Sequence, residues 1–214
     1  MVNPSLNLYS DAEVQRRNRI LDAAERAFAR HGFHAATMQH VAAEAGMSAG
    51  NLYRTFPSKD ALVSGLTERD QAAMAQDFQA LASAPDLLQA LGAMLLQHLV
   101  EEPVWRTQLI VEIWAEAARN PAIAAMCGSI DVDVRKHLLF LVAGAQASNP
   151  ALQGGDPRIV VQVMELMVAG LFKARATDPL FDGRAGVALA VSAFRAALTG
   201  ALRPDPSFLA ALKG

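Results

Sequence analysis

The sequence has little cysteine and no long apolar run, and each shortage excludes a class of protein. Cys127 is the only cysteine among 214 residues, so one chain can form neither a disulfide nor a cysteine-based zinc cluster. The longest nearly apolar run, Ile159 to Phe172, contains Glu165 and is shorter than the roughly 20 residues of a membrane span. The N-terminal segment is polar and contains Pro4, and it lacks the basic residue followed by an apolar stretch that is typical of a signal peptide. We therefore expect a cytoplasmic protein with no membrane partner, no metal and no cofactor.

Aromatic residues are also scarce, at 6%, although 52% of the chain is apolar. The apolar fraction consists mostly of alanine, leucine and valine, and the first two are strong helix formers. No segment shows the alternation of apolar and polar residues that is typical of a half-buried strand. The composition predicts an all-α protein.

Charge is distributed unevenly along the chain. Residues 16–59 contain seven basic and three acidic side chains, whereas the chain from residue 60 onward contains twelve basic and sixteen acidic ones. A basic first quarter followed by an acidic remainder suits a protein that places one surface against phosphate.

Apolar spacing and capping residues predict a series of helices. The first carries Ile20, Leu21 and Phe28 on one face and ends at His31-Gly32. The helices predicted after it cover residues 38–45, 48–56, 59–82, 86–100, 103–120, 121–145, 157–176 and 182–200. Gly128 is a candidate break in the seventh helix. Residues 147–156 form a predicted loop with Asn-Pro and Gly-Gly, and residues 206–212 are predicted to add a short turn.

Residues 37–60, TMQHVAAEAGMSAGNLYRTFPSKD, have the pattern of a helix-turn-helix. Thr37 and Ser48 are good N-cap residues for two short helices, and Gly46 between them can adopt the positive φ of a tight turn. In this motif the second helix lies in the major groove of DNA. Because two short helices joined through glycine also occur in many helical bundles, a purely structural role remains the alternative.

Side-chain chemistry predicts which residues of this motif would meet DNA. Arg54 can reach a guanine edge or a phosphate, and Asn51 can pair with adenine. Thr37, at a helix N-terminus, suits a phosphate oxygen, while Tyr53 and Lys59 offer a phenol and an ammonium group. The predicted DNA-binding residues are Thr37, Gln39, Ser48, Ala49, Gly50, Asn51, Tyr53, Arg54, Thr55 and Lys59.

A dense series of residues surrounds this motif in order and without gaps. The series comprises Ile20-Leu21-Asp22-Ala23-Ala24, Phe28, Gly32-Phe33, Thr37, Val41-Ala42, Ala45-Gly46-Met47-Ser48, Gly50-Asn51-Leu52-Tyr53 and Phe56-Pro57-Ser58-Lys59-Asp60-Ala61-Leu62. With it, the stretch from Arg16 to about Leu66 resembles the DNA-binding domain of the TetR family of bacterial transcriptional regulators. Two residues depart from the family pattern: Met47 stands where valine is usual, and Thr55 stands where tyrosine or histidine is frequent.

The resemblance implies a fold and a mode of action. It implies an N-terminal three-helix DNA-binding domain, predicted at residues 12–58, and a C-terminal helical ligand-binding and dimerisation domain, predicted at residues 59–214. It also implies a homodimer that binds a palindromic operator in double-stranded DNA and is controlled by a small-molecule effector. Repression is the usual sign of control in the family.

The C-terminal part contains candidate effector-binding residues. Residues 105–121, WRTQLIVEIWAEAARNP, are similar to the corresponding helix of TetR regulators with a choline-regulator-like C-terminal domain. Tryptophan faces with the carboxylate of Glu112 would suit a cationic ligand in an apolar cavity. The candidates are Met94, His98, Trp105, Glu112, Trp114, Met126, Phe140 and Met167. Alternatively, these apolar residues fill the core, and Glu112 and Glu116 pair with Arg119 on a helix surface.

The last two predicted helices carry more apolar surface than a monomer needs. Two such helices from each subunit can form a four-helix dimer interface, as the last two long helices do in TetR-like proteins. The predicted interface residues are Val160, Met164, Met167, Leu171, Val187, Val191, Phe194 and Leu198. The alternative is that both helices complete the core of one chain.

Two other functions stay open at this point. One is a DNA-binding regulator controlled by a protein partner, or by the redox state of Cys127. The other is a helical enzyme or binding module without a DNA role. The sequence contains no metal-ligand spacing, P-loop, nucleophile elbow or pair of catalytic carboxylates, so we expect a protein that is not an enzyme.

Overall fold

A computed structural model of the chain describes residues 11–205 and Ser207. The helices are α1 (Asp11–His31), α2 (Met38–Glu44), α3 (Ala49–Thr55), α4 (Lys59–Ser83), α5 (Leu87–Leu96), α6 (Val104–Ala117), α7 (Pro121–Ser148), α8 (Pro157–Thr177) and α9 (Gly183–Leu198). A π-helical segment (Gln97–Glu101) follows α5, and a 3₁₀ turn (Pro150–Leu152) follows α7. Every regular element in this part of the chain is helical, which confirms the all-α prediction. The turn predicted at residues 206–212 lies outside the described residues apart from Ser207.

The chain forms two compact units. Among the described residues, the first comprises residues 11–70 and Glu112–Met126, and the second comprises Gln71–Val111 and residues 127–205 with Ser207. The sequence predicted a division after residue 58, whereas the first unit also includes the start of α4, the second half of α6 and the start of α7. No helix in residues 11–205 has the length and apolarity required to cross a membrane.

The core of the first unit is formed where α1 packs on the two short helices. Ile20 and Phe28 of α1, Val41 of α2 and Leu52 of α3 are all 0–1% exposed. The rings of Phe28 and Phe33 meet edge to face, with 5.2 Å between their centroids. The apolar stripe predicted for the first helix is therefore its buried face.

Local capping sets the boundaries of the short helices. The Thr37 hydroxyl accepts a hydrogen bond from the His40 N–H at 3.3 Å, and the Ser48 hydroxyl accepts one from the Asn51 N–H at 3.3 Å. Ser58 caps α4 in the same way through the Ala61 N–H, at 3.0 Å. Since each cap satisfies a backbone donor that the helix itself leaves unpaired, the caps predicted at Thr37 and Ser48 are confirmed, and Ser58 adds a third.

The core of the second unit is formed mainly by α5, α8 and α9. Leu88, Leu91 and Leu95 of α5, spaced at helical intervals, are buried in it. Six of the eight predicted dimer-interface residues also lie in this core and are 0–6% exposed, so they cannot supply the area that a second copy would bury: Val160, Met164, Leu171, Val187, Phe194 and Leu198. The other two, Met167 and Val191, are partly buried against the same core.

The end of α5 differs from the uniform α-helix that the sequence predicted to Val100. In the π-helical segment the Glu102 N–H donates to the Gln97 carbonyl five residues earlier, at 3.1 Å. The Leu99 carbonyl has no α-helical donor, because the residue four positions later is Pro103, which lacks an N–H. Arg175 of α8 supplies the missing bond, with 2.9 Å between its Nε and the Leu99 oxygen.

Two glycine predictions had different outcomes. The break proposed at Gly128 is wrong, because α7 continues without interruption from Pro121 to Ser148; an isolated glycine costs a helix only about 1 kcal/mol. The Gly154-Gly155 loop is confirmed, and it packs on the end of α9. A Cβ at either position would lie 2.0 Å from a carbonyl oxygen, that of Thr199 or Ala197, so both residues must be glycine.

Two phenylalanines of the second unit provide a test of this core. Phe194→Ala should lower the free energy of unfolding by about 3–5 kcal/mol, because a fully buried ring is lost and a cavity remains. Phe140→Ala should change it by less than about 0.5 kcal/mol, since the Phe140 ring is 71% exposed. Chemical denaturation of both variants measures the difference, and equal losses would contradict the placement of the two rings.

Candidate nucleic-acid interface

The turn between α2 and α3 is closed by two backbone hydrogen bonds. The Met47 N–H donates to the Ala42 carbonyl at 3.0 Å, and the Gly46 N–H donates to the Ala43 carbonyl at 3.1 Å. Gly46 has a φ of 63°, as the sequence predicted. This combination is a Schellman motif, which ends a helix at a left-handed residue. The turn lets α2 and α3 bury Val41 and Leu52 in the helix-turn-helix arrangement.

Most of the predicted DNA-binding residues are exposed on this motif. In α3, Gly50, Tyr53 and Arg54 are exposed, and Tyr53 keeps 48% of its surface accessible. Thr37, Gln39 and Ser48 are exposed near the starts of the two helices, while Ala49, Asn51 and Thr55 are half-buried. The side chains of α3 that do not pack inward are therefore available to a DNA groove.

Arg54 and Asn51 are paired in the free chain. An Nη2 hydrogen of Arg54 is donated to the Oδ1 atom of Asn51 one helical turn earlier. The pairing orients the guanidinium along the surface of α3. The sequence predicted a guanine edge or a phosphate for Arg54 and an adenine for Asn51, and the two side chains lie in contact on α3.

Lys59 is held by the protein itself. Its Nζ donates hydrogen bonds to the carbonyls of Phe33 and His34, the second at 3.1 Å, and lies 4.3 Å from the centroid of the Phe33 ring. Burial lowers the pKa of Lys59, against the opposing effect of Glu116 and other nearby carboxylates. The predicted phosphate contact thus competes with a role in holding the loop between α1 and α2. The sequence could not indicate this role, because it depends on how that loop folds.

Glu44, which the sequence did not single out, ties the end of α2 to α1. Its two carboxylate oxygens each lie 2.9 Å from a guanidinium nitrogen, one of Arg26 and one of Arg30. The hydrogen bond from Arg26 holds the pKa of Glu44 below its usual range. Arg17 is also paired, with Glu68 at 2.8 Å. Much of the basic excess expected to face phosphate is therefore neutralised within the first unit.

The second half of α6 contributes two carboxylates to the first unit. Glu112 accepts a hydrogen bond from the Phe33 N–H at 2.5 Å. Glu116 lies 3.6 Å from a ring nitrogen of His34 and 3.0 Å from Arg119, and the Arg119 hydrogen bond lowers the pKa of Glu116. The alternative that paired Glu112 and Glu116 with Arg119 holds for Glu116 only. The carboxylate of Glu112, a predicted effector residue, is hydrogen-bonded to the backbone of the loop between α1 and α2.

The other predicted effector residues do not gather in one cavity. Trp114, 41% exposed, and Met126 belong to the first unit. In the second unit, Met94 and Met167 pack against the core, and Trp105 is half-buried. Phe140 is the exposed ring described above.

His98, also a candidate, is part of a half-buried ionic cluster in the second unit. Its Nε2 lies 3.2 Å from Asp77 of α4 and its Nδ1 lies 3.0 Å from Glu102. Glu102 also pairs with Arg106 of α6 at 3.2 Å. Within the described residues, a cavity of about 220 Å³ lies nearby and has none of the predicted residues in its wall; its lining is Leu99, Val100, Arg175, Phe181, Asp182, Gly183 and Arg184.

Comparison with known families matches both parts of the chain. The family described as bacterial regulatory proteins, tetR family, matches residues 20–66, which include α2, α3 and the turn between them. The family described as BetI-type transcriptional repressor, C-terminal, matches residues 84–203, which is more than half of the chain.

Individual relatives agree with these matches. The chain is 33% identical over 157 residues to the HTH-type transcriptional regulator UidR of Escherichia coli K12, covering 70% of this chain and 72% of UidR. GusR of Salmonella enterica has a similar structure, with a TM-score of 0.73 and 26% identity over 91% of this chain and 98% of GusR. A transcriptional regulator of Saccharomonospora viridis, solved in complex with choline, shares the fold with a TM-score of 0.70, at 20% identity over 85% of this chain and 95% of that one. The chain belongs to the TetR family of bacterial transcriptional regulators, and its helix-turn-helix is the DNA-binding part.

Proposed function

We propose that this chain is a repressor that binds a palindromic operator as a homodimer and releases it when a small molecule binds the second unit. The observation that carries the proposal is the exposed surface of α3, with Gly50, Tyr53 and the Asn51–Arg54 pair, on a helix that the Gly46 turn and buried Leu52 hold in place. A recognition helix needs this combination of a fixed backbone and free polar side chains.

The DNA contacts divide into two kinds. Arg54 and Asn51 read bases, because both can donate hydrogen bonds to the edge of a purine in the major groove. Thr37 and Tyr53 contact phosphate and set the register of α3 without reading sequence. Lys59 acts mainly on the loop that it holds, so its effect on DNA binding is indirect.

The dimer contact lies on the outward face of α8 and α9. Leu166 of α8 and Leu189 of α9 are 67% and 66% exposed, although they occupy helices whose opposite faces are buried. Ala169 and Gly170 are exposed on the same side of α8, and a Cβ added to Gly170 would meet no atom within 4 Å. This stripe replaces the buried residues as the proposed interface, since it offers apolar surface that a second copy can cover. A two-fold dimer would then place two copies of α3 on two half-sites.

The effector acts through α6. Residues 104–111 of this helix belong to the second unit and residues 112–117 belong to the first. A displacement of the first half is passed along one continuous helix to Glu112 and Glu116, which hold Phe33 and His34. Of the predicted effector residues, Met94, His98, Trp105 and Met167 remain candidates because they lie in the second unit and, unlike Phe140, are half-buried there.

Control by a small molecule is favoured over redox control. Burial raises the pKa of the Cys127 thiol, and the nearby Asp131 raises it further. Since the thiolate is the form that reacts with oxidants, this environment makes Cys127 a poor redox sensor.

Substitution of Arg54 and of Lys59 should affect DNA binding differently. On a DNA fragment selected from a random pool, Arg54→Ala should cost about 1–3 kcal/mol and relax the preference at one base position. Lys59→Met should weaken binding to all sequences alike and lower the melting temperature. Fluorescence anisotropy with the selected fragment and single-base variants measures both effects, and Arg158→Ala in the second unit is the control. Unchanged affinity and preference in Arg54→Ala would refute the reading role of α3.

The dimer stripe can be tested without disturbing the chain's own core. Leu166→Glu and Gly170→Glu should each convert the dimer to a monomer at micromolar concentration, because a charge would be buried at the contact. Leu180→Glu is the matched control, since Leu180 is 92% exposed in the turn before α9 and outside the stripe. Light scattering coupled to size-exclusion chromatography gives the masses. A wild-type monomer, or two dimeric stripe variants, would rule out this interface.

If the effector acts through α6, a substitution in this helix should separate effector binding from operator release. A metabolite library, including choline because the S. viridis relative holds it, is screened for ligands that raise the melting temperature. Glu112→Ala should still bind the ligand found, but the factor by which that ligand weakens operator binding should fall by about fivefold or more. Glu101→Ala, at the end of the π-helical segment, is the control. If Glu112→Ala keeps the full coupling factor, the signal does not pass through this carboxylate.

A further inference from the structure

Two histidines are stacked at the junction of α1 and α2. The rings of His31, the last residue of α1, and His40, in the first turn of α2, are nearly parallel at 18°, with 4.0 Å between their centroids. His40 also closes a capping box: its Nδ1 accepts a hydrogen bond from the Thr37 N–H at 3.3 Å, while its own N–H donates to the Thr37 hydroxyl. His40 therefore joins the end of α1 to the start of the helix-turn-helix.

The hydrogen bond that Nδ1 accepts in the capping box requires a neutral His40 ring. Nδ1 can accept a hydrogen bond only in the neutral imidazole, because both ring nitrogens are donors once the ring is protonated. Two protonated rings at stacking distance would repel each other. A positive charge in the first turn of a helix is also unfavourable, because the N-terminal end of the helix dipole is itself positive.

The charged groups around His31 and His40 do not offset the unfavourable effects of protonating the His40 ring. From α1 the ring is faced by His31, and one turn further along α2 lies Glu44. The Glu44 carboxylate is close enough to His31 for the two charges to interact, but it is bound by Arg26 and Arg30. In the described residues, no carboxylate is paired with His40.

We propose that His40 is a positioning residue of the DNA-binding motif, and that operator binding requires its neutral form, so that acidification weakens the binding. The inference rests on the proposed operator binding. The expected direction of the pH effect distinguishes this inference from a general charge effect. Protonation of histidines makes the chain more positive, which by itself would strengthen the attraction to phosphate. The capping box and the stack predict the opposite direction.

The test is the affinity for the selected DNA fragment at constant ionic strength between about pH 7.5 and pH 5.5, the range in which histidine titrates. The wild type should lose about fivefold or more in affinity, the effect of losing a helix cap. His40→Gln should bind within about twofold of the wild type at the higher pH and should not weaken on acidification, because glutamine accepts the same capping hydrogen bond without titrating. His137→Gln, which removes a histidine stacked on Phe78 in the second unit, should retain the wild-type profile.

A second readout does not depend on DNA. Nitrogen NMR of the free protein at the higher pH should show His40 with a proton on Nε2 and none on Nδ1. A proton on Nδ1, an affinity of the wild type that rises or stays constant on acidification, or a His40→Gln variant with the wild-type profile would each overturn the inference. If the wild type selects no DNA at any pH, the proposed function itself fails, and the NMR result alone then decides the structural role of His40.

Discussion

Side chains from α4 and α6 form hydrogen bonds with the backbone of Phe33 and His34, and the position of the DNA-binding helices depends on these bonds. Lys59, at the start of α4, donates hydrogen bonds to the two carbonyls, and Glu112 of α6 accepts one from the Phe33 N–H. The loop connects α1 to α2, so its placement determines where α2 begins. A single short segment thereby links the DNA-binding motif to α6, which, like α4 and α7, extends into both compact units.

Ion pairs within the first unit make the excess of basic residues in the first quarter of the chain a weaker indicator of DNA contact than the sequence suggests. Arg17, Arg26 and Arg30 form ion pairs with carboxylates, and Lys59 is turned toward the protein. These charges hold α1, α2 and α4 together. In the proposed function, a small set of residues on α3 recognises DNA, and Arg54 carries their positive charge. The sequence preference would then come from base contacts more than from general electrostatic attraction.

Features determined by local sequence could be predicted, and those determined by tertiary packing could not. The caps at Thr37, Ser48 and Ser58 and the positive φ at Gly46 follow from residues within four positions of each other, so the helix-turn-helix was recognisable. Glu112 and Lys59 were assigned to an effector and to phosphate, because nothing in the sequence shows that their partners lie in the Phe33–His34 loop. In the π-helical segment after Leu96, the Leu99 carbonyl accepts its hydrogen bond from Arg175, which is more than 70 residues away.

The last two helices illustrate the same limit. Their apolar residues occupy two faces, and spacing alone does not indicate which face the chain covers itself. Val160, Phe194 and their neighbours fill the core, while Leu166 and Leu189 remain exposed. A face that is buried in the core and a face that stays exposed require the same apolar composition. Only the packing of α5 against α8 and α9 distinguishes the two faces.

The proposed function requires two copies of α3, related by a two-fold axis, to read one operator. Selection of bound fragments from a random pool of double-stranded DNA, followed by sequencing, is the decisive measurement. We expect one enriched sequence with two inverted half-sites whose centres lie about one helical turn apart or a little more. Enrichment of no sequence, or of a single half-site without an inverted partner, would contradict it.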